Sequence, residues 1–142
     1  MIYIAGPLFN EMERKRNAEL DAILQDNGFD TYLPQRDGGE FAKELAAGER
    51  PEAIRKRMFS LDIAAVKNCD ILLFLFDGRV PDEGACFELG MAYVLGKRCL
   101  GYKTDARAFI GGYDNLMLTE SLEAMFHTTD ALVAYLKETK GT

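Results

Sequence analysis

Along the chain, short apolar runs alternate with longer segments in which apolar residues recur at helical spacing. The stretch from Asp70 to Ala92 shows the pattern most clearly, reading as a strand, a loop and a helix. Ile71 to Phe76 is an unbroken apolar run, too short for a free-standing helix and closed by Asp77-Gly78, as expected of a strand buried on both faces of a parallel sheet. Asp82 then opens a helix. From Gly84 to Gly96 the only charged side chain is Glu88, and a segment otherwise apolar nearly all round predicts a helix sunk in the protein. A carboxylate there needs a reason, because a buried charge is costly unless something compensates it.

The flanking segments repeat the alternation. Ile2-Tyr3-Ile4-Ala5 predicts a first strand ended by Gly6-Pro7, and Asn10 suits the cap of a helix running to about Asn27. Gly28 stops that helix, Phe29 to Leu33 forms a second strand, and Pro34 to Gly39 is a loop. Pro51 fits the first turn of a helix that reaches about Asn68. Beyond the central unit, Arg98 to Lys103 predicts a fourth strand, Thr104 to Leu118 a loop-rich segment, Glu123 to Thr128 a short edge strand and Asp130 to Glu138 a closing helix. The expected fold is α/β, a doubly wound five-stranded parallel sheet with right-handed crossovers. Ligands of such sheets lie outside the carboxyl ends of the strands. Those ends carry Gly6-Pro7-Leu8-Phe9, Pro34-Gln35, Asp77 to Asp82 and the loop after Lys103.

Composition narrows the function classes. At 142 residues and 48% hydrophobic side chains the chain is read as one globular domain spanning 1–142. Its net charge of −6 disfavours nucleic acid or an anionic membrane as the main partner. The one basic cluster, Arg55-Lys56-Arg57, reads as a solvated helix face. Cys69, Cys86 and Cys99 lie in or beside apolar segments without a Cys-x-x-Cys, which suits reduced core thiols of a cytosolic protein. With His127 the single histidine, no ligand cluster of zinc spacing exists, so no metal is expected. Neither a signal sequence nor an apolar run of membrane-spanning length appears, and a cytoplasmic location is expected.

The usual phosphate cradles are missing, since there is no Gly-x-x-x-x-Gly-Lys-Ser/Thr and no Gly-x-Gly-x-x-Gly after the first strand. A phospho-acceptor receiver would want acidic residues where Ala5-Gly6 stands. What remains is a set of carboxylates near the ligand edge, which favours acid, base or nucleophile chemistry. Asp62 lies on a helix whose rows are Ile54, Met58, Leu61, Ala65 and, beside it, Phe59, Asp62, Val66, so it faces inward with no basic residue three or four positions away. It is either an aspartate satisfied by neighbouring backbone or a functional group. Asp82 would make a good N-cap in any protein. Glu88, isolated among apolar residues, reads as functional.

Four pieces then fall into one pattern: the N-terminal Ile-Tyr-Ile-Ala-Gly-Pro-Leu-Phe, Asp62 placed eight residues before Asp70, the segment Pro-Asp-Glu-Gly-Ala-Cys-Phe-Glu-Leu-Gly-Met-Ala, and Asp114-Asn115-Leu116-Met117-Leu118. Together they resemble the nucleoside 2-deoxyribosyltransferase family over almost the whole chain. The resemblance implies a flavodoxin-like or Rossmann-like three-layer sandwich that exchanges the base of 2′-deoxyribonucleosides through a covalent deoxyribosyl-enzyme ester, without a cofactor and with hydrolysis as a side reaction. By position, Glu88 matches the nucleophile, Tyr3 the tyrosine that hydrogen-bonds it and Asp62 the aspartate facing the base. Asp82 matches the residue holding sugar hydroxyls, Phe9 an aromatic lining the pocket, and Gly6 and Gln35 further substrate contacts. Asn115 matches an asparagine that reaches the sugar from a neighbouring subunit, which implies a homo-oligomer with shared sites. The implied partners are deoxyribonucleosides and free nucleobases. Two alternatives stand beside this reading: a 2′-deoxynucleoside 5′-monophosphate N-glycosidase with the same carboxylates, and a non-catalytic nucleotide-sensing domain on the same fold.

Overall fold

The structure is a computed structural model and describes residues 1–140. Its strands are β1 (Ile2–Ala5), β2 (Thr31–Tyr32), β3 (Ile71–Leu75), β4 (Arg98–Tyr102) and β5 (Ala124–Phe126). They form an all-parallel sheet in the order β2-β1-β3-β4-β5, so the winding direction reverses between β1 and β3. The helices are α1 (Glu11–Asp26), α2 (Pro34–Asp37), α3 (Phe41–Ala46), α4 (Pro51–Asn68), α5 (Glu83–Val94), α6 (Leu116–Thr119) and α7 (Thr129–Glu138).

Strand alternation sorts the core into two layers. Ile2, Ile4, Leu73, Leu75 and Leu100 pack against Leu20 and Leu24 of α1 and Leu132 and Leu136 of α7. The intervening residues Tyr3, Ala5, Leu72, Phe74 and Cys99 face Ala65 and Val66 of α4 and Ala85, Leu89 and Ala92 of α5. Both faces of the central strands are therefore covered, which is why Ile71 to Phe76 reads as a continuous apolar run. Gly6 lets the chain leave β1 close to β3, for a Cβ there would lie 2.8 Å from Leu75 Cβ. Asn10 caps α1 in a reciprocal box, its side chain accepting from Glu13 N at 2.9 Å while Glu13 Oε2 accepts from Asn10 N at 3.1 Å. Pro51 takes the first turn of α4, and Asp82 caps α5.

Several boundaries differ from the sequence reading. The second strand keeps only two residues, because Pro34 starts the one-turn helix α2 within the expected loop and Leu33 N turns to Asp37 Oδ2 at 2.8 Å. The short helices α3 and α6 were too brief to show a periodic apolar face. The third strand ends at Leu75, the fourth at Tyr102, and the fifth spans Ala124–Phe126. Arg55-Lys56-Arg57 is solvated as expected, with Arg57 paired to Glu44 and Glu49. Cys69 and Cys99 are core thiols, but Cys86 is only half-buried.

The largest correction concerns α5, which is not sunk. Only its stripe of Ala85, Leu89 and Ala92 is buried, while Phe87 is 56% and Val94 83% exposed. On α4 the expected inward rows are likewise split: Ile54, Ala65 and Val66 are buried, Phe59 and Leu61 are exposed. A helix in the outer layer of a sandwich covers only its sheet-facing stripe, whatever the rest of its surface is made of. The Phe59 and Phe87 rings lie 6.4 Å apart on this outer surface and continue it from one helix to the next. Among the described residues no helix is long and apolar enough to cross a membrane.

Candidate active site

β1 and β2 pair in register at Tyr3 and Tyr32, which puts both side chains on the face covered by α4 and α5. Their rings stack with centroids 5.2 Å apart and planes 13° from parallel. Each phenol then meets a carboxylate delivered by one of the covering helices. Tyr3 OH donates to Glu88 Oε1 of α5 at 2.7 Å, and Tyr32 OH donates to Asp62 Oδ1 of α4 at 2.9 Å. The two carboxylates flagged by the sequence thus share one small cluster with two tyrosines from adjacent strands.

The electrostatics follow from burial. Glu88 is pushed up to about 8 by loss of water, with the nearby charges of Asp62 and Asp82 acting in the same direction; the Tyr3 hydrogen bond pulls it down. Asp62 is raised by burial and held back by its bond from Tyr32. Burial first, and then the adjoining carboxylates, raises both phenols far above their ordinary range, so at neutral pH each is a hydrogen-bond donor. At neutral pH the Glu88 carboxyl is therefore mostly protonated, and its ionised form becomes the larger fraction as pH rises through about 8.

The remaining candidates sit around this cluster in different ways. Asp82 caps α5, with Oδ2 accepting from Ala85 N at 2.8 Å, and is near enough to raise Glu88. The cap and the electrostatic role thus coexist in one carboxylate. Gly6 lies in the close approach to Leu75 described above. Phe9 is 74% exposed beside the α1 cap. Gln35 is turned toward α1, since Nε2 donates to the Arg14 carbonyl at 2.8 Å and Oε1 accepts from Asn17 Nδ2 at 3.1 Å. Asn115 caps α6 and lines a neighbouring cavity of about 520 Å³ with Phe76, Pro81, Cys86 and Lys103; Glu88, Asp62 and Tyr3 are not in that lining. Lys103 anchors the segment, its Nζ bonding Asp114 Oδ1 and Oδ2 at 2.9 and 2.7 Å.

Three features of the site escaped the sequence reading. Tyr32 carries no local sign of its role, because its partner Asp62 lies 30 residues away and comes into reach only through the sheet register. Gly38 abuts the same carboxylate, and a Cβ there would lie 2.7 Å from Asp62 Oδ1. Asp77, buried at the end of β3, accepts from Arg16 Nη1, Thr104 Oγ1 and the backbone N–H groups of Thr104 and Asp105. It fastens the loop that leads to Asp82 onto the loop after β4. Only its place at a strand end hinted at this.

A doubly wound sheet that sets two phenol-bonded carboxylates beside its first strands defines a class, the three-layer α/β proteins whose ligands lie outside the carboxyl ends of the strands. Comparison with known proteins gives the family. The sequence model of nucleoside 2-deoxyribosyltransferase matches residues 2–134, and the chain belongs to that family. Among solved structures it is similar to the 2-deoxyribosyltransferase of Bacillus psychrosaccharolyticus, with 26% identity over 94% of this chain and 90% of that one and a TM-score of 0.71. A conserved protein from Enterococcus faecalis V583 shares 26% identity over 96% of each chain, with a TM-score of 0.76. The CMP N-glycosidase of Clostridium botulinum, at 17% identity over 96% and 97% of the two chains and a TM-score of 0.56, shares the fold. No curated protein matches the chain by sequence.

Proposed function

We propose that this protein is a nucleoside 2-deoxyribosyltransferase that moves a 2′-deoxyribosyl group from one nucleobase to another through an ester on Glu88. The observation that carries the reading is the pairing of Glu88 with Tyr3 at 2.7 Å beside a second, separately held carboxyl, Asp62. Two carboxyl groups with different environments are what cleavage of a glycosidic bond with retention requires. In the reactive form the proton rests on Asp62 and Glu88 is ionised; Glu88 attacks C1′ from the face opposite the base, and the C1′–N bond breaks as the Glu88 ester forms. The bonding electrons leave with the base nitrogen, and Asp62 supplies the proton that neutralises the departing base. A second base then attacks C1′ and gives up its N–H proton to the Asp62 carboxylate, the ester C–O bond breaks, and Glu88 is restored as a carboxylate and Asp62 as the acid. Water in place of that base gives free 2-deoxyribose. The donated hydrogen bond from Tyr3 favours the ionised form that attack needs.

Incubation of deoxyinosine or thymidine with a panel of acceptor bases tests the reaction directly, the expected products being new deoxyribonucleosides. A slowly turned-over fluorinated nucleoside should leave an adduct that peptide mass spectrometry maps to Glu88. Labelling at another residue would move the nucleophile.

The site is completed across a homo-oligomer interface in this proposal. Support comes from the apolar surface of Phe59, Leu61, Phe87 and Val94 on the outer layer, since exposed patches of this kind mark interfaces. The family match at Asn115, which stands on a cavity apart from Glu88, points the same way. Mixing inactive Glu88→Ala with inactive Asn115→Ala subunits should restore part of the activity, because a mixed pair assembles one site with both residues intact. Failure to complement despite demonstrated subunit exchange would count against sharing.

A further inference from the structure

We propose that Tyr32 is a positioning residue that holds the Asp62 carboxyl in the orientation needed to hand a proton to the departing base. The inference rests on the reaction proposed above and extends it to a group that does not itself touch substrate.

Two contacts act on one edge of Asp62, and a third fixes the group that makes the first. Tyr32 OH donates to Oδ1 at 2.9 Å. The backbone at Gly38 approaches the same oxygen so closely that a Cβ would lie 2.7 Å from it. The phenol is itself fixed, because its ring stacks on the fully buried Tyr3 at 5.2 Å. Oδ2 accepts no hydrogen bond from any described residue, so it is the oxygen left to carry a proton to a ligand. An aspartate on a half-buried helix face would otherwise rotate among staggered rotamers, and proton transfer depends on the acid lying within hydrogen-bond reach of the accepting atom. The arrangement mirrors the other half of the site. Tyr3 fixes the carboxyl that attacks, Tyr32 the carboxyl that protonates, and stacking makes the two phenols one rigid plate.

The proposal separates steps that need a proton from steps that do not. A neutral purine leaves poorly as an anion and gains from protonation, whereas the base of 7-methyl-2′-deoxyguanosine is already cationic and departs neutral. Tyr32→Phe keeps the ring and its stack and removes only the donor. On 2′-deoxyguanosine the variant is expected to lose roughly thirtyfold in kcat, a part of the hundredfold or more that general acid catalysis contributes, with KM changed less than about threefold. On 7-methyl-2′-deoxyguanosine its loss should stay within about fivefold, because proton delivery is no longer required. For an enzyme confined to pyrimidines, thymidine and 5-nitro-2′-deoxyuridine serve as the corresponding pair. Equal losses on both substrates would overturn the proposal by showing that Tyr32 merely supports the fold, and so would an unimpaired variant. Wild-type protein that releases base from none of these nucleosides would instead overturn the reaction itself. Tyr32→Leu, which removes ring and hydroxyl together, should lower the melting temperature; Tyr32→Phe should leave it within about two degrees, and a large drop there would also count against a positioning role.

Discussion

Glu88→Gln is expected to abolish base exchange and hydrolysis together while making the protein more resistant to heat at alkaline pH. The amide keeps the shape of the side chain and still offers Tyr3 OH an oxygen at the place of the 2.7 Å bond, but it cannot form the ester. Loss of a covalent nucleophile should lower kcat by about a thousandfold or more for both reactions. The stability effect has a definite sign. Glu88 is pushed up to about 8 from an ordinary value of 4.5, chiefly by burial and then by Asp62 and Asp82. A carboxyl raised on folding contributes stability that is fully present below the unfolded value, near 4.5, and is lost as pH rises through about 8. The glutamine variant has no proton to lose. Its melting temperature should therefore lie close to that of the wild type at pH 4.5 and exceed it by several degrees at pH 9. Equal differences at the two pH values would show that Glu88 is not the desolvated carboxyl.

The second large effect concerns a charge that the substrate itself carries. We expect 2′-deoxynucleosides to be turned over with a kcat/KM at least a hundredfold above that of their 5′-monophosphates. Asp82 stands at the N-terminus of α5, where it caps the helix by accepting from Ala85 N at 2.8 Å. An uncapped helix end attracts anions; here an aspartate already occupies it. If Asp82 holds the sugar hydroxyls, a nucleoside gains a charge-assisted hydrogen bond, while a phosphate brings like charge into a confined space. A repulsion of about 3 kcal/mol corresponds to roughly a hundredfold in kcat/KM. Asp82→Asn should weaken the nucleoside and narrow the ratio, and since asparagine is an equally good N-cap the helix should hold. Steady-state kinetics on a nucleoside and its monophosphate decide the matter. A wild-type protein that prefers the monophosphate and ignores added bases is an N-glycosidase on the same fold.

Aromatic pairing explains why the site lies where it does and how much of it could be read in one dimension. Glu88 could be picked out because a single carboxylate in an apolar helix contradicts its surroundings, and that contradiction is local. Asp82 was legible as a cap for the same reason, and so was the cap at Asn10, though its reciprocal bond with Glu13 was seen only in the structure. The strand, loop and helix order and the parallel sheet likewise follow from the spacing of apolar residues and the punctuation by Gly and Pro. Asp62 is intermediate. Helical spacing told which way it faced, but its partner is a tyrosine 30 residues upstream.

What the chain dictates by itself is therefore the set of elements, the strands of the core and the carboxylates at odds with their neighbours, because these depend on contacts within a few residues. Tertiary structure alone decided the rest. Sheet register brought Tyr3 and Tyr32 side by side and so gave each carboxylate its phenol. Long-range packing set Gly38 against Asp62 and tied Asp77 to Thr104 and Asp105. It also left the outer faces of α4 and α5 uncovered, where composition had suggested a helix sunk in the protein. Hydrophobicity fixes how much apolar surface a helix carries, whereas the layer in which the fold seats that helix fixes how much of it is buried within the chain.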